Sequence, residues 1–241
     1  MISKTITCAA LALLAGGAFA QFAGTTDANA DYVPTLLFNP DVQKDMHMSA
    51  ALVKQEQSIF MQQAMAMLPL VMGKQGKGGG AAGASPLGQG VDSKKVLDAV
   101  HAMMAKVVEP LSAQQRARFH ELTLQYIGPT ALLEPKVVKQ LVLTAAQQQK
   151  LATLITNSSE RIRASIPGPG KSGFNAGTLT QMGQAQTQAR AAQEHKLPSI
   201  LTPAQLAKWR ALQGKPLPSV TDNSKMMSGL MGGMGGLGAG H

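Results

Sequence analysis

The chain has 241 residues, 22 Lys and Arg against 13 Asp and Glu, and one cysteine. Such a length is enough to bury a stable core without cross-links. A lone cysteine excludes an internal disulfide and any Cys-rich metal site, and no run of 18 or more apolar residues is present to span a bilayer.

Residues 1–20 have the layout of a secretory signal. Lys4 supplies the charged n-region, Ala9 to Ala15 a short apolar core, and Ala18-Phe19-Ala20 an A-x-A cleavage site before Gln21. Cys8 lies ahead of the apolar core, where a lipoprotein signal would not place it. The expected mature protein is periplasmic or secreted, and cysteine-free in an oxidising compartment. Of the 22 basic residues only Lys4 leaves, so 21 remain against 13 acidic ones. For an exported basic protein the expected partners are unfolded or anionic protein clients or an anionic envelope surface, with no nucleic acid.

Residues 21–35 are expected to be a flexible N-terminal segment. After them the chain repeats itself. LFNPDVQKDMHMSAA (37–51) and LLEPKVVKQLVLTAA (132–146) align at a constant offset, matching Pro40 with Pro135, Val42 with Val137, Lys44 with Lys139 and Met46 with Leu141. Further on, LSAQQRARFHEL (111–122) and LTPAQLAKWRAL (201–212) repeat in the same order. A fixed period is the mark of a repeated architecture. It predicts two tandem units, 36–128 and 129–217, of about 90 residues each.

Each unit reads as a long helix, a Gly-rich loop, a second helix and a short third helix. Asn39-Pro40 and Glu134-Pro135 look like the starts of short helical turns. The first long helix is expected from about Ala50 to Met72, with Val53, Phe60, Ala64, Met67, Leu68 and Val71 on one face. Its twin runs from about Ala145 to Ile166. Glycine-rich breaks follow at 73–90 and 167–177. Second helices are expected over Lys94–Val108 and Leu179–Lys196, and third helices after Ser112 and Thr202, closed by Gly128 and Gly214. No stretch alternates with period two, so the fold class is all-α with no sheet. Residues 218–241, rich in Gly and Met, are expected to form a disordered tail.

Three capping boxes punctuate this pattern: Ser112 with Gln115, Thr144 with Gln147, and Thr202 with Gln205. In each, the hydroxyl can accept from the third helical N–H while the glutamine reaches back to the cap N–H. Ser49 keeps the cap but has Leu52 where the glutamine would stand. On this local reading Gln147 contributes one reciprocal bond and should matter less than Thr144.

The same residues carry a family resemblance. LVLTAAQ (141–147), followed by ILTPAQ (200–205) and Trp209, resembles the LTxxQ motifs of the Spy/CpxP family of bacterial periplasmic proteins, and Met48-Ser49 with Leu111-Ser112-Ala113-Gln114-Gln115 and Phe119 is a looser copy. The resemblance spans about Leu36 to Leu217. It implies an all-helical fold, a periplasmic home and a role in envelope stress. Spy-like members are ATP-independent chaperones that work as cradle-shaped dimers, and related members bind or sense metals such as zinc. This chain departs by holding two units in one polypeptide, by its Gly-rich loops and by lacking a metal-ligand cluster.

Chemistry-bearing motifs are sparse, and no catalytic, cofactor-binding or metal residues are assigned. His47, His101, His120, His195 and His241 show no i, i+4 pair and no H-E-x-x-H. Gly73-Lys74-Gln75-Gly76-Lys77-Gly78 lacks the Ser or Thr and the preceding strand of a phosphate loop, and reads as a linker. No nucleophile elbow is present. Asp45-Met46-His47-Met48 and the tail residues Met226, Met227, Met231 and Met234 offer thioethers suited to Cu(I), which makes a copper- or zinc-binding protein the alternative function. Met46 aligns with Leu141, and Met67, Met103 and Met104 fall on apolar faces, so core packing is expected of these. The expected role is holding rather than turnover: a non-enzymatic binding protein of the Spy type, with a structural envelope protein as a third reading. Lys54, Lys94, Lys95, Arg116, Arg118, Lys136, Lys139, Arg161 and Arg163 are the candidates for a basic client-facing surface.

Overall fold

The computed structural model describes residues 32–72, 93–165 and 176–222. Among these residues every regular element is helical, so the fold is all-α. A 3-10 turn over Pro34–Phe38 leads into α1 (Pro40–Asp45), α2 (Ala50–Met72), α3 (Ser93–Val108) and α4 (Ala113–Ile127). The series then starts again. A 3-10 turn over Gly128–Leu133 leads into α5 (Pro135–Leu141), α6 (Ala145–Ser165), α7 (Ala176–Lys196), a 3-10 turn over Leu197–Ser199 and α8 (Pro203–Gln213). A short α9 (Pro218–Thr221) follows.

The helix starts obey local chemistry. Asn39 accepts from Asp41 N, and Pro40 and Pro135 stand at N1, where a missing N–H costs nothing. Gly128 and Gly214 close α4 and α8 with φ of 64° at each, a conformation that a Cβ strains. The 3-10 turns at the head of each unit escape the periodicity reading, because segments this short show no helical period. The glycine-rich breaks at 73–90 and 167–177 lie almost wholly outside the described residues, and so does the signal segment.

Two cores result. The first gathers Leu36, Leu37 and Val42 with Met46, Phe60 of α2, Met103, Met104 and Val107 of α3, and Phe119 and Leu122 of α4. In the second, equivalent positions carry Ala131, Leu132, Val137, Leu141, Leu197 and Trp209. Helix α4 serves both, since Phe119 and Leu122 point into the first core while Leu124 joins the second. In each unit the two long helices form a packed pair, α2 with α3 and α6 with α7.

The units are also tied by polar contacts. Gln125, 3% exposed, donates to the carbonyls of Gln213 (2.6 Å) and Lys215 (2.8 Å) and accepts from Leu217 N (2.8 Å). Arg190 on α7 donates to the Tyr126 carbonyl at 3.1 Å.

Both outer boundaries expected from the sequence move. The flexible segment was expected to extend to residue 35, yet Val33, Pro34 and Thr35 are buried and Tyr32 stacks on Phe119 at 5.1 Å. At the other end a tail from residue 218 was expected, but Pro218–Thr221 is helical and Val220 is fully buried in the first core. Proline at N1 and the burial of Val220 in the first core outweigh the composition of the segment. The remaining Gly- and Met-rich residues lie outside the described set.

Candidate functional site

The repeated motifs meet at two corners, one per unit, where the short helix turns into the long one beside the start of the third. In the second unit the turn is made by Val142, at φ 51° and ψ 52°, and in the first by His47, at φ 50°. A left-handed conformation is unfavourable for any side chain and most of all for a β-branched one. The strain recurs at equivalent positions, so it belongs to the corner itself. Val142 is 76% exposed there.

In the second corner the two capping boxes grip each other. Thr144 N donates to Gln147 Oε1 and Gln147 N to Thr144 Oγ1, while Thr202 and Gln205 do the same. Each glutamine then spends its amide on the opposite motif. Gln147 Nε2 donates to the Ile200 carbonyl (2.9 Å) and to Gln205 Oε1 (2.7 Å). Gln205 Nε2 donates to the Leu141 carbonyl (3.2 Å) and to Gln147 Oε1 (3.2 Å). The conspicuous glutamine of the motif is therefore both a cap and half of a reciprocal amide clasp.

The first corner keeps half of this device. Ser112 and Gln115 form a complete box, and Gln115 Nε2 donates to the Met46 carbonyl at 3.2 Å, as Gln205 does to Leu141. Its partner is missing, because Leu52 stands where Gln147 stands in the twin and packs against the core instead. An open cleft of about 640 Å³ lies here, bordered by Asp45, His47, Gln114, Arg118, Glu121 and Lys215 among others. Arg118 crosses it, with Nε on Asp45 Oδ2 (2.6 Å), Nη1 on Glu121 Oε2 (2.6 Å) and Nη2 on the Lys215 carbonyl (2.8 Å). Burial opposes its charge, but the hydrogen bonds and charges of Asp45 and Glu121 outweigh that and raise its pKa. Arg118 was expected on a client-facing surface. It is an interlock joining α1, α4 and the segment after α8, since a planar guanidinium satisfies several acceptors at once.

The other expected residues separate. Lys54, Arg116, Lys136, Lys139 and Arg161 are exposed, while the side chains of Lys94, Lys95 and Arg163 lie outside the described set. Met46, Met103 and Met104 are buried, as core packing requires, and Met48 packs against the first core. The run 45–48 thus turns its thioethers inward. Among the described residues no group of three His, Cys, Asp or Glu could hold a metal ion, and no helix is long and apolar enough to cross a membrane. The tail methionines proposed for copper lie outside the described residues.

Two features escaped the sequence reading. On α2, Lys54, Ser58, Met61 and Met65 recur at helical spacing on the outward face, with Met61 44% and Met65 65% exposed. On the opposite face Glu56 is 2% exposed, and among the described residues neither carboxylate oxygen has a hydrogen-bond partner. Burial pushes its carboxyl from 4.5 up to about 7. The signal was available in the alignment, for Glu56 falls opposite Leu151.

No family model matches the chain, and searches of curated proteins and of solved structures find no match.

Proposed function

We propose that the protein is an exported, non-enzymatic holding protein of the Spy type, which binds unfolded or anionic clients without nucleotide. The observation that carries this is the outward face of α2. There Met61 and Met65 stand in solvent in line with Lys54. Thioether side chains adapt to irregular apolar shapes, and a lysine stem lays methylenes on a client while keeping its charge in water. The exposed Val142 adds an apolar knob at the second corner. The LTxxQ motifs and the leader-like first 20 residues support a periplasmic setting and a part in envelope stress. The excess of basic residues favours anionic segments and steers encounter.

The test is suppression of aggregation. The chain from Gln21 onward should slow aggregation of a chemically unfolded, unrelated protein near stoichiometric ratios, without ATP. The effect should weaken as salt rises, because exposed charges are screened beyond about 8 Å at physiological ionic strength. Met61→Ser with Met65→Ser should reduce it while the helical circular dichroism stays unchanged. Aggregation that proceeds untouched at several-fold excess would overturn the reading. Binding of micromolar copper or zinc in that same preparation would put the metal-binding alternative in its place.

A further inference from the structure

The two units form an internal comparison, and one core position of the first carries an acid where the second carries leucine. Where the second unit buries Leu151 completely, the first buries Glu56 at 2% exposure, one turn before the buried Phe60. Among the described residues no hydrogen bond reaches either oxygen. Nothing charged offsets it nearby among the described side chains. The 3-10 turn Pro34–Phe38, packed on α2, contributes no titratable group. On α3, the other element packed there, Asp98 and Lys106 are exposed, and so is Lys54 on α2 itself. Lys94, Lys95 and His101 are the remaining titratable residues of α3, and their side chains lie outside the described set.

A second asymmetry points the same way. The start of α6 is tied to the Ile200 carbonyl and to Gln205 through Gln147, whereas α2 has Leu52 at that place and no such tie. The first unit therefore combines a weaker anchor with a buried acid, and the second combines a full clasp with leucine.

We propose that Glu56 is a protonation-controlled latch: protonated, it lets α2 sit closed on the first core, and ionised, it lifts α2 away and uncovers the apolar surface around Phe60, while the second unit stays closed as the scaffold. An ionised carboxylate without a partner is expensive to keep buried, and lifting the helix lets water reach it. The uncovered surface is the inward face of α2, opposite Met61 and Met65, so opening adds a second apolar face to the helix. The latch itself needs no client and stands apart from the holding function.

Amide hydrogen exchange on the full chain from Gln21 tests it, with rates corrected for the intrinsic effect of pH and α6 serving as the control for α2. Between about pH 5.5 and about pH 8 the opening constant of α2 should rise roughly 10- to 30-fold, as expected for a carboxyl that titrates near 7 when closed and near 4.5 when open. That of α6 should stay level. Glu56→Gln and Glu56→Leu, the second restoring the residue of the twin, should both abolish the rise. Parallel behaviour of α2 and α6 in the unmodified chain would overturn the proposal, and so would a rise that survives in either variant.

Discussion

The glutamine clasp yields the most demanding prediction. Read locally, Gln147 closes a capping box and ranks below Thr144. In the folded chain it takes part in three contacts that Gln147→Ala would remove: its bond from Thr144 N, its bond to the Ile200 carbonyl and its mutual pairing with Gln205. Each net hydrogen bond stabilises by about 0.5–1.5 kcal/mol, so the loss should be roughly 1.5–3 kcal/mol, given partial exposure. Thr144→Ala removes the cap acceptor and the 3.3 Å bond from Thr144 Oγ1 to Gln147 Oε1, and should cost about 1 kcal/mol. Gln205→Ala should resemble Gln147→Ala, and the double variant should cost less than the sum by about 0.5–1.5 kcal/mol, since each single change already destroys the shared pair. Urea unfolding of the three variants measures this coupling. The first unit is the control: Gln115 has no glutamine across from it, so Gln115→Ala with Leu52→Ala should show no comparable polar coupling. Additive effects of Gln147→Ala and Gln205→Ala, with Gln147→Ala no worse than Thr144→Ala, would mean that the motif acts only as a cap.

Two further predictions concern the first unit. Glu56 keeps its proton to about pH 7 in the folded chain and releases it near 4.5 when unfolded, so its penalty is absent below about pH 4.5, grows as pH rises towards 7 and is constant above. A difference of 2.5 units corresponds to about 3 kcal/mol. Glu56→Leu should therefore raise stability by about that amount at pH 8 and much less at pH 4, and a gain independent of pH would contradict it. Val220 is fully buried in the first core, and Val220→Ala should cost about 1–3 kcal/mol by thermal melting. Deletion of residues 218–241 should destabilise at least as much, whereas deletion of 223–241 alone should leave the melting point close to that of the intact chain.

Much of this protein was legible in its sequence, and the legible part is local. Helix starts at Ser112, Thr144 and Thr202 could be read because a capping box is closed between residues three apart, within one turn of backbone. The bounds of α2 and the glycine ends of α4 and α8 follow from the same short-range rules, and the duplication makes each of them a repeated observation. What tertiary structure decided is the second partner of each residue. Gln147 reaches Gln205 and Arg118 reaches Asp45, 58 and 73 positions away. Composition placed Arg118 on an open basic face and Val220 in a loose tail, because neither charge nor glycine content says which surface a segment will return to. Glu56 lies between these cases. Its spacing to Phe60 and its alignment with Leu151 put it on the buried face, but that it is buried without any partner depends on which side chains α3 and the 3-10 turn bring against it. Propensity and capping act over a few residues and so are written along the chain. Burial and charge pairing are set by whatever the fold brings near, and only the packed structure specifies that.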